Sequence, residues 1–174
     1  MFEKGEYVVY GSKGVCQIED ISQIDIPGVD RDRLYYIMRP VHNGKGTVYL
    51  PIDSTRAVIR RVMSKEEARR LLDEIPQIEE LPVPDEKRRE ISYKEAMKTC
   101  SVRSWVSIIK ALYFRKTERL AAGKKITALD ERYMKAAEHE LYGELSIALG
   151  IPQEEVGAYI YNHIEGKAEQ AEPA

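Results

Sequence analysis

Short runs of β-branched and aromatic residues alternate with turn residues over the first part of the chain. The runs lie at residues 6–10, 15–21, 34–39, 47–52 and 57–62, and several of them alternate apolar and polar side chains as half-buried strands do. The turn between the third and fourth runs contains Asn43-Gly44, a pair that supplies the positive φ angles of a tight hairpin. Five short strands joined by glycine-containing turns predict a small antiparallel β-barrel of the SH3 or Tudor type.

This predicted barrel is rich in tyrosine, with Tyr7, Tyr10, Tyr35, Tyr36 and Tyr49. Each of them can lie either in the core or at the rim of the barrel, since neighbours along a strand point to opposite faces. For the same reason we expect only one of the adjacent pair Tyr35 and Tyr36 to point inward. A domain of this size has little room for a deep pocket, so we expect it to bind through an edge strand or an aromatic rim.

The pattern changes to a helical one after residue 63. Ser64 and Glu67 form a capping box, followed by apolar residues at helical spacing up to Pro76. The next nine residues, PQIEELPVP, hold three prolines and no helical period. They predict a linker and a domain boundary. The first domain is expected at 1–63, followed by a connecting helix and this linker at 64–84.

Four further helices are predicted between residues 85 and 166. Their start signals are Asp85, Ser101, Thr127 and Pro152, and their stop signals include Gly123, Gly150 and Gly166. The second has an apolar stripe that includes Trp105, Leu112, Tyr113 and Leu120, and the fourth is expected over 156–164. The fold class is therefore α+β: a small barrel, an all-α bundle of about four helices over 85–166, and a disordered tail at 167–174.

Charge is distributed unevenly along a chain whose net charge is −2. Residues 85–135 hold 14 Lys/Arg and 7 Asp/Glu, whereas residues 136–174 hold 1 Lys and 8 Asp/Glu. The overall balance argues against a free-standing, high-affinity nucleic-acid binder. The basic segment is still compatible with binding to a polyanion, although solvated helix faces are the ordinary explanation of such a charge run.

No arrangement of residues in the sequence predicts catalysis or a metal site. The spacings of a zinc site, a phosphate loop and a nucleophile elbow are missing, and His139 and His163 lie on helices without a nucleophile pattern. An enzyme that uses these histidines is the weakest hypothesis, and we expect no cofactor. Cys16 and Cys100 are expected to be reduced, buried thiols of a cytoplasmic protein, since no signal peptide or membrane span is recognisable.

Four segments resemble landmarks of the CarD family of bacterial transcription regulators. They are residues 2–15 (FxxGExVVYxxxGV), 48–51 (VYLP), 112–115 (LYFR) and 143–149 (GELSIAL). The first is also similar to the polymerase-interaction module of the transcription-repair coupling factor. The resemblance extends over about residues 1 to 150, nearly the whole ordered chain.

The resemblance implies a function. The barrel would dock on the β subunit of bacterial RNA polymerase, and the helical domain would contact promoter DNA at the upstream edge of the transcription bubble. Weak contacts to the DNA backbone and minor groove, without sequence reading, would modulate the stability of the open complex. Tethering beside DNA makes such weak contacts effective. No membrane and no small-molecule substrate are implied. The alternative is an adaptor that binds polymerase and a second protein without touching DNA.

The sequence also departs from the family. Members of the family carry a minor-groove tryptophan wedge before a basic pair, and here Glu86 stands at that position. Trp105 is expected in the core. The polymerase-contacting arginines of some members are not reproduced, and the candidate polymerase contacts are Ile24, Tyr49 and Tyr36. Tyr49 is either an anchor on a strand edge or a packing residue of the hairpin.

Six cations are the candidate DNA contacts. We expect them to bind phosphates rather than to read bases, and each is otherwise an ordinary surface residue. They are Lys87, Arg88 and Arg89 at a helix start, then Lys124, Lys125 and Arg132 near the next start.

Overall fold

The computed structural model describes residues 1–42 and 44–171, with side chains except at Ser12 and residues 167–171. The chain divides into two compact units, Met1–Val62 and Met63–Ala174. We refer to them as the sheet unit and the helical unit.

The sheet unit is one antiparallel sheet of five strands in the order β4-β3-β2-β1-β5. Consecutive strands β1 to β4 pair as a meander, and β5 returns to pair with β1. The strands are β1 (Tyr7–Tyr10), β2 (Gly14–Ser22), β3 (Tyr35–Pro40), β4 (Val48–Pro51) and β5 (Ile59–Arg61). The predicted Tudor-like β domain followed by a helical bundle is confirmed.

The hairpin loop between β3 and β4 has left-handed backbone at Gly46, where φ is 92°. Such an angle suits glycine, which has no Cβ to clash. Asn43, the first residue of the predicted turn pair, lies outside the described residues.

Inward-facing side chains of β1 to β4 form the core of the sheet unit. The buried cluster is Val8, Cys16, Ile18, Tyr36, Met38 and Leu50. Of the β3 pair, Tyr36 belongs to the inward-facing core cluster and Tyr35 does not, as strand alternation predicts, although both are buried, at 4% and 6% exposure. Alternation fixes the direction in which a side chain points, but solvent reaches neither face of β3 at this position.

The helical unit contains five helices in its described part. They are α1 (Lys65–Glu74), α2 (Arg89–Lys98), α3 (Val102–Ala121), α4 (Ala128–Leu149) and α5 (Gln153–Ala171). The capping box at Ser64 and the cap at Thr127 are both formed, and Gly150 ends α4 with a φ of 70°. Trp105 is 1% exposed, which confirms its predicted core position.

The last helix is longer than the sequence predicts. It passes through Gly166 and ends at Ala171, five residues into the predicted tail. A glycine inside a helix costs only about 1 kcal/mol relative to alanine, so it does not by itself end a helix. Residues 172–174 lie outside the described residues.

The proline-rich segment after α1 is held against α3. The Leu81 N–H donates to the Ser107 carbonyl (3.0 Å), and the Lys110 ammonium donates to the carbonyls of Ile78 (2.5 Å) and Ile75. We term residues 75–83 the strap. The strap, which the sequence predicts as part of a linker, lies within the helical unit.

Candidate functional site

The predicted basic start of the helical bundle is a turn capped by Asp85. Its carboxylate accepts a hydrogen bond from the Lys87 N–H (3.0 Å), and one 3-10 turn leads directly into α2. The side chains of Lys87 and Arg88 are exposed there. These two cations are therefore presented to solvent by a defined turn.

Arg89 has a different environment from the two cations before it. Its Nε donates to Oδ1 of Asp130 (3.1 Å), and only 21% of its side chain is exposed. Asp130 is fully buried and also accepts hydrogen bonds from Arg115 Nε (2.6 Å) and the Tyr93 hydroxyl (3.2 Å). A buried carboxylate requires such partners. Arg89 is therefore an internal partner of Asp130, which corrects its prediction as a DNA contact.

The cluster around Asp130 alters the acidity of its members. Burial alone would raise the pKa of Asp130, but hydrogen bonds from Arg115 and Arg89 hold that pKa below its usual value. Burial, together with the nearby Asp130 carboxylate, raises the pKa of Tyr93 to about 12. At neutral pH the cluster therefore contains one carboxylate, two guanidinium groups and a neutral phenol.

Glu86 stands where the resemblance placed a tryptophan wedge. Its carboxylate accepts a hydrogen bond from Arg115 Nη1 (2.5 Å), while 67% of its side chain stays exposed. Glu86 therefore links the turn before α2 to α3. It offers no apolar surface for insertion into a DNA groove.

The three remaining DNA candidates lie around the start of α4. The Arg132 guanidinium pairs with Glu90 (3.1 Å) and lies 5.2 Å from the Tyr133 ring centroid, yet 65% of its side chain is exposed. Lys124 and Lys125 are exposed in the turn that precedes α4.

Pairs of contacting residues show that all these candidates share one end of the helical unit. Arg115 of α3 reaches Glu86, and Arg132 of α4 reaches Glu90 at the start of α2. The turn before α2 therefore lies beside α3 and the first turns of α4, and the turn that joins α3 to α4 follows at the same end of those two helices. We term this region the cationic end; it comprises Lys87, Arg88, Lys124, Lys125 and Arg132.

The predicted polymerase contacts in the sheet unit differ in exposure. Tyr36 is a core residue, since its ring lies 5.8 Å from that of Phe2 and its hydroxyl accepts a hydrogen bond from the Phe2 N–H (3.1 Å). This corrects its prediction as a surface contact, because its side chain shares the inward face of β3 with Met38. Ile24 is 8% exposed and has little surface to offer a partner.

Tyr49 is the predicted polymerase contact that reaches solvent. Its side chain is 41% exposed, and it lies on β4, an edge of the sheet. It pairs with Ile37 on β3, and Leu50 beside it points into the core. Leu34, which sequence reasoning missed, is 44% exposed at the end of the same strand pair. An edge strand has unpaired backbone groups that a partner strand can join.

The last turns of α3 expose three large apolar side chains, of which Tyr113 and Leu120 belong to the predicted apolar stripe. Tyr113 is 64% exposed, Leu120 is 57% exposed and Phe114 is 55% exposed. Phe114 lines a cleft of about 250 Å³ together with Leu81, Pro82 and Val83 of the strap. The apolar stripe of α3 is buried around Trp105 and Leu112, but the packing does not continue along the helix.

The two helical histidines make simple structural contacts. His163 Nε2 lies 2.7 Å from Asp73 Oδ1, and His139 Nδ1 lies 3.3 Å from the Gln153 amide nitrogen. Within the described ranges 1–42 and 44–171, no group of three or more His, Cys, Asp or Glu residues is placed to hold a metal ion. Among those same residues, no helix has the length and apolar character needed to cross a membrane.

Comparison with known proteins identifies the sheet unit. The model of the CarD-like/TRCF RID domain family matches residues 2–63, which contain all five strands and Tyr49. No curated protein matches the chain. Residues 2–63 are therefore a domain of the CarD-like/TRCF RID family, whose members interact with the β subunit of RNA polymerase.

Proposed function

We propose that this protein is a non-catalytic regulator that connects bacterial RNA polymerase to promoter DNA in the cytoplasm. The sheet unit docks on the polymerase β subunit. The helical unit contacts DNA near the upstream edge of the transcription bubble and modulates the stability of the open complex. The cationic end, where three segments of the chain carry five exposed cations, is the observation that supports DNA contact most directly.

The polymerase contact is centred on the β4 edge. Tyr49 supplies an amphipathic ring. The edge strand β4, on which it lies, has backbone donors and acceptors along its outer side. A partner strand that adds to β4 would gain main-chain hydrogen bonds, and the ring would supply most of the apolar contact. Leu34 is exposed at the end of the β3–β4 pair. Ile24, with 8% exposure, has little surface to contribute.

The DNA contact is of the phosphate-binding kind. Lys87, Arg88, Lys124 and Lys125 are exposed on turns, where their side chains reach a backbone without inserting into a groove. Asp85, Glu86 and Glu90 lie among them and weaken the local positive potential. Affinity for free DNA should therefore be low, and docking on polymerase would compensate by raising the local concentration of the helical unit near DNA.

Open-complex lifetime on a promoter with purified bacterial RNA polymerase tests this function. We expect the protein to change the lifetime, and Lys87→Ala/Arg88→Ala to return it toward the value without the protein. Arg89 is left unchanged because its loss would expose the Asp130 cluster. The matched control is Arg69→Ala/Arg70→Ala, which removes two exposed cations from α1 and should have no effect. Equal effects of both variants would contradict a localised DNA contact.

A second candidate function is the polymerase-binding adaptor without DNA contact. The observation that favours it is Glu86, which places a carboxylate paired with Arg115 where a wedge would be needed. An adaptor would bind polymerase but leave the lifetime unchanged, and its retention on immobilised DNA would depend little on salt. A phosphate-binding protein would lose retention steeply as salt rises.

Capture of this protein by the isolated β subunit of polymerase tests the sheet unit separately. Tyr49→Ala should weaken capture at least tenfold, as loss of a central aromatic anchor does. Tyr7→Ala is the control, because Tyr7 is 36% exposed on β1, away from the β4 edge. A larger loss with Tyr7→Ala would place the docking surface on another part of the sheet.

A further inference from the structure

We propose that the exposed end of α3 is a stacking surface for unpaired nucleobases, such as those of a single strand at a DNA fork. We term this surface the α3 tip. It consists of Tyr113, Lys116, Thr117 and Leu120 on the helix, with Lys124 and Lys125 in the following turn. The inference rests on the proposed DNA contact and assigns it a substrate form and apolar contact residues.

Helical spacing places the four helix residues on one flank. They stand at positions i, i+3, i+4 and i+7, which share a face of an α-helix. Tyr113 is 64% exposed and Leu120 is 57% exposed, so both offer a broad apolar side to solvent. Seven residues rise by about 10 Å along a helix, which matches about three base steps along a nucleic-acid strand.

The backbone carbonyl and the side chain of Arg119 each form a hydrogen bond that fixes the turn after α3 beside this flank. The Arg119 carbonyl accepts from the Lys124 N–H (2.8 Å), and its Nε donates to the Lys125 carbonyl (2.8 Å). Gly123 makes the reversal possible with a φ of 75°. The two lysines are thus anchored through their backbones, while their ammonium groups extend into solvent.

Charge favours a nucleic acid as the occupant. Lys116 shares the helix flank with Tyr113 and Leu120, and Lys124 and Lys125 follow in the next turn, whereas Glu118 lines the cleft with Phe114. Glu138 is an acidic neighbour of Lys116: burial raises the pKa of Glu138, and the charge of Lys116 opposes that rise. Protein-binding surfaces are depleted of lysine, whereas aromatic residues among cations are typical of single-strand binding.

The same features favour unpaired over paired DNA. In a duplex the faces of the bases are stacked on one another and are closed to side chains. A single strand or a fork exposes those faces, and a ring such as that of Tyr113 stacks on any base without reading its identity. A surface of this type therefore distinguishes the form of the DNA and not its sequence.

Fluorescence anisotropy at low salt tests the proposal on the full chain. Three labelled DNAs of equal length are compared: a duplex, a forked duplex and a single strand. We expect the protein to bind the fork and the single strand more tightly than the duplex. Tyr113→Ala/Leu120→Ala should weaken fork binding about tenfold, the value for loss of about one stacking contact, and should leave duplex binding unchanged.

Two variants complete the design. Tyr161→Ala is the matched control, because Tyr161 on α5 is also 64% exposed, and it should not alter any of the three affinities. Lys116→Ala/Lys124→Ala/Lys125→Ala should weaken binding to all three DNAs and lower the salt dependence by about 2 to 3 in log–log slope. Trp105 fluorescence checks that each variant keeps its folded core.

The possible outcomes separate this inference from the proposed function. Equal affinity for fork and duplex, with lysine-dependent binding to both, would overturn the stacking surface and leave the DNA contact intact. Binding to none of the DNAs at low salt would overturn the stacking surface, whereas the proposed function is decided by the open-complex lifetime with polymerase present. A loss of polymerase capture in Tyr113→Ala/Leu120→Ala without DNA present would make the α3 tip a protein-binding surface, which also overturns the inference.

Discussion

The two units of this protein are stabilised in different ways. The buried cluster of the sheet unit consists of apolar and tyrosine side chains, and the ion pairs Arg33–Asp53 and Arg39–Glu19 of this unit are exposed. Both fully buried carboxylates in the described part of the chain, Asp130 and Glu144, belong to the helical unit. Apolar burial is non-directional, whereas a buried ion pair requires defined geometry. The helical unit should therefore be the more sensitive of the two to pH and to single charge changes.

Each buried carboxylate joins segments that are distant in the sequence. Asp130 connects α4 to Arg89 of α2 and Arg115 of α3. Glu144 accepts a hydrogen bond from the Met63 N–H (3.0 Å), beside the capping box that starts α1. The four helices α1 to α4 are thus positioned partly by two acidic side chains of a single helix.

The largest expected effect is the removal of the Asp130 carboxylate. Asp130→Ala should lower the unfolding free energy of the helical unit by about 4 kcal/mol, because it leaves two arginines and the Tyr93 hydroxyl without their shared partner. Chemical denaturation followed by Trp105 fluorescence measures this. Glu131→Ala, the adjacent exposed acid, should have little effect. Similar losses in both variants would show that the cluster adds no stability of its own.

The corresponding change in the sheet unit removes apolar volume. Met38→Ala should cost about 3 kcal/mol, since Met38 is fully buried in the core cluster. Amide hydrogen exchange in β2 and β3 measures this loss. Ile37→Ala, on the opposite face of the same strand and only partly buried, is the control and should cost less. Equal losses at the two positions would contradict the assignment of the core face.

Acid should affect the helical unit through Asp130. Because the pKa of Asp130 is lower when folded than when unfolded, its contribution is complete above the unfolded value of about 4 and is lost as pH falls through the folded value. The denaturation midpoint from Trp105 fluorescence should fall in that range, and Asp130→Asn should reduce the dependence. Asp53, whose pKa is lowered by a hydrogen bond from Arg33, is exposed, so salt should largely screen its contribution. An unchanged pH dependence in Asp130→Asn would assign the effect to other groups.

The smallest effect is expected at the start of α1. Ser64→Ala removes the acceptor for the Glu67 N–H (3.1 Å) and should cost about 1 kcal/mol. Ser64→Asp restores a capping oxygen and should regain most of the loss. Failure of the aspartate to rescue would mean that Ser64 acts other than as a helix cap.

Local signals in the sequence predicted most of the elements. The five strands, the capping box at Ser64 and the cap at Thr127 depend on neighbouring residues, and each appears within a few residues of its expected place. The burial of Trp105 followed in the same way from its place on an apolar stripe. Strand alternation separates Tyr49 from the buried Leu50, but the sequence left both core and rim positions open for Tyr49.

Features decided by distant residues were not predictable. Arg89 looked equivalent to Lys87 and Arg88, but its partner Asp130 is 41 positions away. Tyr113 and Leu120 lie on the apolar stripe of α3, yet no periodicity shows where the packing against that stripe ends. The prolines of the strap indicated a linker, since nothing in their own sequence reveals the contact with Lys110.

The strap has a consequence for proteolysis. A protease needs a stretch of extended backbone that is free to enter its active site. Residues 75–83 contain Glu79 and Glu80, sites for a glutamate-specific protease, but Leu81 and the carbonyls of Ile75 and Ile78 are held by α3. Cleavage there must wait until those bonds open, so its rate reports the local opening of the helical unit. A segment whose sequence predicts an exposed linker should therefore survive digestion as long as the helices around it remain closed.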